Sequence, residues 1–354
     1  TFPDNSVQAT APRVGMVNRV INGGMVFDQR NAGAEVSPAP SGYGLDRWAT
    51  YKGGAGTWKV QQSSDAPAGF AASALLTVTS ASTPSGNDYY ILMQPIEGNN
   101  TFDLAWGSAS AQTVTLSFWV KSSLTGTFGG ALRNAAENRT YPFTFAISSA
   151  NTWEYKSVVV VGDTSGTWLT TNGRGITLTF SLGGSGTSLA TAGAWSASGA
   201  SGATGQTNII ATSGATWQIT GVQLEKGSTA TDFEYVNYSR QLQQCQRYYE
   251  KSFPQGTAPA YNQPYKFTTA TAYVASTISI ANVQFKVNKR TAPTMVLYGV
   301  STSGWRYYAA GWKNTTSMIG AANESGFSAE SGGGVSVLAQ YQSCLIGGNW
   351  VAEA

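Results

Sequence analysis

The 354-residue chain is long enough for two or three modest domains with sizeable cores, and only 11% of its residues are charged. Its net charge of +3 is scattered, which excludes a nucleic-acid footprint, and no apolar run approaches transmembrane length. The lack of any histidine removes the commonest general base and metal ligand, together with every Ser-His or Cys-His dyad.

With 41 Gly among long Ser, Thr and Ala runs, the composition favours short strands and polar turns over helices. Residues 1 to 17 carry two prolines and no periodicity, and two readings stand: an arm reaching a partner, or a disordered tail. No charged-then-apolar leader opens the sequence. An initial Thr suits either initiator Met removal in a bacterial cytoplasm or trimming of a longer chain. From Asn18 the pattern tightens around Ile21, Met25 and Phe27, with Gly23 and Gly24 placing a turn or bulge and Asp28 to Asn31 a polar turn.

Alternation and turn signals predict strands at Trp58 to Gln62, Ser73 to Thr79, Tyr89 to Gln94, Thr113 to Lys121, Tyr141 to Ser148, Trp153 to Val161, Gly175 to Leu182 and Thr216 to Leu224. Eight or so strands without an intervening helix indicate a jelly-roll β-sandwich over residues 18–236. Val114, Leu116, Phe118 and Val120 share one face, as do Ile176, Leu178, Phe180 and Leu182. Between Gly183 and Gln206 the periodicity vanishes into a long loop of a length that is usually binding or mobile. Gly221 interrupts the alternation of its strand, where a bulge fits.

Ser239 is placed to cap a helix from Arg240 to about Glu250, inside a hinge of residues 237–252. Leu242, Cys245, Tyr248 and Tyr249 form its apolar stripe, which serves either as core or as a subunit contact. A small antiparallel β-knob over 253–354 follows, with strands at about 272–280, 283–287, 294–299, 307–311, 326–330, 335–343 and 349–352. The whole is therefore all-β: a jelly-roll sandwich, a short helix and a small antiparallel domain. Cys245 and Cys344 lack metal-type spacing and read as isolated buried thiols, with a disulfide the alternative.

The stretches Gln223 to Tyr235 (QLEKGSTATDFEY) and Leu242 to Lys251 (LQQCQRYYEK) resemble the junction of phage tail-fibre and related virion appendage proteins. There a jelly-roll similar to carbohydrate-binding modules hands over to a C-terminal knob. Asn18 to Gly33 (NRVINGGMVFDQRNAG), Leu45 to Thr50 (LDRWAT) and Thr115 to Phe128 (TLSFWVKSSLTGTF) fit that pattern in the same order, and the closing GNWVAEA does so more loosely. The resemblance implies a non-enzymatic virion protein, made in the bacterial host cytoplasm, that assembles as a homotrimer. It would attach to other virion proteins through the arm and bind host surface glycans, without membrane insertion or nucleic acid. The rival functions are a glycan depolymerase, or an enzyme-associated carbohydrate-binding protein, and an architectural head fibre or capsid decoration. No cofactor is implied beyond a structural Ca²⁺, for which Glu225 and Asp28 would supply oxygen ligands.

For glycan contact, alternation sets Trp119 opposite the Phe118 core face, either as a groove floor or beneath a covering loop or subunit. Trp305, Arg306, Tyr307, Tyr308, Trp312 and Lys313 concentrate rings and cations in the knob, as a ligand surface or as core. Asp46, Asp88, Glu97, Asp103, Glu137 and Glu154 are the carboxylates that could pair as a glycosidase couple, although no motif joins any two.

Overall fold

The computed structural model describes residues 16–37, 41–264, 267–274, 277–280, 283–299, 306–308, 312–314, 317–331, 343–347 and 349–354. The arm, apart from Met16 and Val17, and the strand expected at 335–343, apart from Ser343, lie outside the described residues.

Two antiparallel sheets form the sandwich. Strands β1 (Ser41–Leu45), β2 (Trp48–Lys52), β3 (Thr57–Ser63), β4 (Ser73–Ser80), β5 (Tyr89–Glu97), β6 (Val114–Ser122), β7 (Gly126–Arg133), β8 (Thr140–Ile147), β9 (Glu154–Val160) and β10 (Arg174–Gly184) are followed by the two-residue pieces β11 (Leu189–Ala190) and β12 (Gly202–Ala203), then β13 (Thr216–Lys226). One sheet runs β1-β2-β5-β10-β7-β8 and the other β3-β4-β13-β6-β9. Their facing sides supply the core: Val114, Leu116, Phe118 and Val120 from one sheet meet Leu178 and Phe180 from the other, all fully buried. Phe118 lies edge-on to Phe145 and Phe180, at centroid separations of 4.9 and 5.0 Å.

All eight strands expected in the sandwich are present, and three more join them. β1 and β2 form a hairpin turning at Asp46 and Arg47, where Arg47 takes a φ of 72°. β7, reading GTFGGALR, has too little side chain for alternation to show. Its Gly130 is required by contact, because a Cβ there would stand 2.3 Å from the Thr179 carbonyl oxygen on β10.

The helix α1 spans Tyr238–Gln246, about four residues shorter than expected at its C-terminal end, and Asn237 caps it by accepting a hydrogen bond from the Ser239 N–H. It stops because Tyr249–Lys251 is strand β14, paired with Asn349–Glu353, which in turn pairs with Thr294–Tyr298. The remaining described strands, among them Phe267–Val274, Thr277–Ile280, Gly326–Ser331 and Ser343–Gly347, form a second antiparallel sheet.

The segment expected to act as a hinge is bonded to the sandwich. Arg247 donates to both Glu97 oxygens at 2.8 and 3.0 Å, and the Tyr248 hydroxyl donates to the same carboxylate. Arg47 packs over the Tyr248 ring and Arg30 over that of Tyr249, while Lys251 donates to the Gln29 carbonyl. Cys245 and Tyr248 are buried with Ile21 and Phe27, and Leu242 packs against them. These residues are covered by their own chain, which corrects the reading of Cys245, Tyr248 and Tyr249 as subunit contacts. Leu242 keeps partial exposure, and Tyr249 belongs to β14, buried with Phe253 and Val351. Cys245 carries a free thiol, and burial pushes its pKa well up.

Candidate functional site

On the outer face of the five-stranded sheet, β6 presents Ser117, Trp119 and Lys121 opposite the core-facing set that ends in Phe118 and Val120. Trp119 pairs in register with Thr220 on β13 and Tyr155 on β9, and its ring lies 5.5 Å from that of Tyr155. The β13 register shifts between Thr220 and Gln223 at Gly221, whose φ of 61° and missing side chain let Phe70 and Trp119 approach. The bulge expected at this glycine thus opens the floor of a groove.

The wall of the groove is the 230–235 segment. The Glu225 carboxylate, fully buried, accepts from the Thr231 N–H at 2.8 Å, the Thr231 hydroxyl at 2.7 Å and Gln223 Nε2 at 3.0 Å. Gln223 also binds the Asp232 carbonyl and the Glu234 N–H, and Glu234 in turn accepts from the Asn18 N–H. Thus the QLEKG motif fastens a strap across its own sheet. Phe233 and Tyr235 on that strap pack with Phe70 at 5.1 and 5.8 Å, and the Tyr235 hydroxyl reaches the Gly69 carbonyl. The resulting groove holds about 740 Å³ between Phe70, Trp119, Tyr155, Phe233 and Tyr235, and among the described residues Asp232 is the one charged group lining it. Tyr155 is 46% and Tyr235 66% exposed, so both rings keep free faces.

The metal expectation does not fit these surroundings. Glu225 is cradled by hydrogen-bond donors, and Asp28 likewise accepts from the N–H groups of Asn31 and Gly33 at 3.0 and 2.9 Å. A Ca²⁺ site needs six or more oxygen ligands, whereas donors present the opposite polarity. Among the described residues no group of three or more Cys, Asp or Glu is placed to hold a metal ion.

The six candidate acid–base carboxylates are dispersed among separate partners. Asp46 holds Gln29 and Arg30, Asp88 the Ser85 N–H, and Glu97 holds Arg247 and Tyr248. Asp103 pairs with Arg19, Glu137 with Arg133 and Arg174, and Glu154 with Lys156. In the knob, Arg306–Tyr308 and Trp312–Asn314 pair antiparallel, with Tyr307 in register with Lys313 and Tyr308 with Trp312. Trp305 lies outside the described residues, as do the side chains of the other five.

A second groove runs over the outer face of the six-stranded sheet as two adjacent lobes of about 280 and 270 Å³. Its Tyr43, Tyr51, Tyr89, Arg133 and Arg174 carry no signal in the sequence, because they come from five strands and make no local motif. The single local hint is the long loop after Gly183, which contributes Ser188, Gly199 and Ser201 to the wall.

No protein-family model matches the chain, and no curated protein matches it. Among solved structures, it is similar to the enzymatically active domain of tailspike protein 4 from bacteriophage CBA120, at 15% identity and a TM-score of 0.33, over 60% of this chain. The match spans 22% of that structure's length. A family 11 carbohydrate-binding module from Clostridium thermocellum, in complex with a mixed-linked tetrasaccharide, matches at 13% identity and a TM-score of 0.29, covering 55% of this chain and 98% of the module. TmCBM61 in complex with β-1,4-galactotriose matches at 11% identity and a TM-score of 0.26, over 51% of this chain and 88% of that one.

Proposed function

We propose that the protein is a non-enzymatic fibre protein of a phage virion that binds saccharides of the host surface. The observation that carries the binding is the Trp119 groove: an open channel with half-exposed aromatic faces, closely packed rings and one lone carboxylate. Flat apolar sugar faces stack on such rings, while Asp232 and the Tyr155 hydroxyl are suited to the sugar hydroxyls. The near-absence of charge in the lining suits a neutral saccharide. A glycosidase needs two carboxylates flanking one bond, and the described lining of this groove offers one.

The virion role and the three-fold assembly rest on the resemblance of the Gln223 to Lys251 stretch and its companion motifs to fibre proteins. In such an arrangement the arm attaches to the particle and the C-terminal end of the chain faces the host. Three copies would raise avidity on a cell well above that of one groove. The deciding experiment compares Trp119→Ala and Trp312→Ala with the parent in saccharide binding and host-cell adsorption. Trp119→Ala is expected to lower groove affinity by roughly five- to thirtyfold, the cost of one anchor. Unchanged affinity in Trp119→Ala would remove the groove from the reading. Light scattering that finds only a monomer would remove the trimer, and shortening of host polysaccharide by the purified protein would overturn the non-enzymatic assignment.

A further inference from the structure

The second groove differs from the first in charge. Its floor is apolar: Ala49, Ile91 and Met93 are buried on the outer sheet face, with Tyr43, Tyr51 and Tyr89 packed around them. Tyr51 stands in register with Ile91, and Ala49 with Met93, so floor and rings belong to paired strands. Tyr51, Met93 and Arg174 line both lobes.

In the lobe beside the long loop, two guanidiniums share one carboxylate. Arg133 Nη1 reaches Glu137 Oε2 at 3.3 Å, and Arg174 Nη1 reaches Oε1 of the same residue at 3.1 Å. Glu137 is the sole carboxylate lining this lobe among the described residues, so the set carries a surplus positive charge. Arg133 is only 5% exposed, and its Nε has no hydrogen-bond partner among the described residues. Burying a guanidinium without full neutralisation is costly, and burial pulls its pKa downward despite Glu137. The wall is also firm, since Ser201 donates its N–H to the Ser188 carbonyl and accepts at its own carbonyl from the Thr179 hydroxyl.

We infer that this lobe takes a carboxylate-bearing saccharide, with Arg174 and Arg133 receiving the carboxylate and Tyr51 and Tyr89 packing against the sugar ring. The planar fork of a guanidinium matches a carboxylate through two parallel hydrogen bonds, and a ring beside it supplies the apolar face. The inference rests on the saccharide-binding reading and adds a separate site with its own selectivity.

The test displays uronate-containing, sialylated, sulfated and neutral oligosaccharides to the full chain, with methyl esters of the two carboxylated classes alongside. At least one carboxylated class should bind at least about tenfold more tightly than its own ester. Arg174→Ala should abolish that preference while leaving neutral saccharides bound at the Trp119 groove. Arg174→Lys, which keeps the charge without the fork, should restore part of it. Tyr51→Leu provides a second variant, expected to weaken the acid and its ester together, should Arg174→Ala fail to fold. Equal binding of acid and ester, or an acid preference untouched by Arg174→Ala, overturns this site while the saccharide reading stands. Acid selectivity confined to sulfated saccharides overturns the carboxylate assignment. Failure to retain any saccharide overturns both.

Discussion

Phe118 and Trp119 are adjacent in sequence and point to opposite sides of β6, so the same loss of a ring should have different consequences. Phe118 is fully buried between Phe145 and Phe180, and truncating it leaves a cavity that the flanking aromatic rings fill only in part. Phe118→Ala is expected to lower unfolding free energy by about 3–5 kcal/mol in chemical denaturation, without altering the groove chemistry. Trp119→Ala should change stability far less, because its ring retains a solvent-facing side, and should act on binding. Equal loss of stability in both variants would place Trp119 in the core. Alternation alone suffices to place this pair, since it depends on neighbouring residues. It does not reveal Arg133 and Arg174, which register and a turn bring to the Glu137 carboxylate, nor the partnership of Glu225 with Thr231. The latter resembles a cation ligand because sequence shows a carboxylate but not the polarity of the groups around it.

At the scale of elements, strands with side chains on both faces are legible from periodicity, whereas β7 is not, because close backbone packing demands glycines that carry no pattern. The helix boundary also escapes local reasoning: pairing of β14 with a strand about 100 residues later ends α1 before Tyr249, a contact with no signal in the neighbouring sequence. Immediately after α1 the chain forms a charge clamp on the sandwich. Burial alone would raise the Glu97 pKa, but hydrogen bonds from Arg247 and Tyr248 and the charges of Arg247 and Arg47 outweigh it and hold the group below its ordinary 4.5. A carboxylate with a depressed folded pKa contributes stability that is in place above its unfolded value and is lost as pH falls through the folded one. Thermal midpoints should therefore fall as pH is lowered from about 5, with protease cleavage near 246–252 increasing in parallel. Glu97→Gln should be less stable at neutral pH and lose much of this acid dependence. A variant that keeps the parent's full acid dependence would show that other carboxylates set it.

For the whole molecule, the last described strand holds distant parts of the chain together. Asn349–Glu353 lies between β14 and Thr294–Tyr298, so it forms both ladders of its three-stranded sheet. Glu353 binds Arg30 of the sandwich at 2.8 Å, and the Ala354 N–H donates to the Tyr248 carbonyl next to the clamp. Trp350 packs against Phe285 and Phe327, carrying the same strand into the region beyond β14. Beneath it, Glu250 and Lys289 form an ion pair with almost no exposure, at 2.7 Å, and such a pair is favourable only while water is kept out and its geometry is maintained. Removal of residues 349–354 should therefore strip β14 and Thr294–Tyr298 of their shared partner and uncover this pair, while the sandwich core, which contains none of these residues, stays folded. Calorimetry of the truncated chain is expected to show the sandwich transition retained and the remaining transition lost or shifted to lower temperature. Limited proteolysis should cut between 253 and 300 while sparing 41–226, with binding at the Trp119 groove preserved. If truncation unfolds the sandwich as well, the two parts form one cooperative unit and the clamp at Glu97 is too strong to be separated from either.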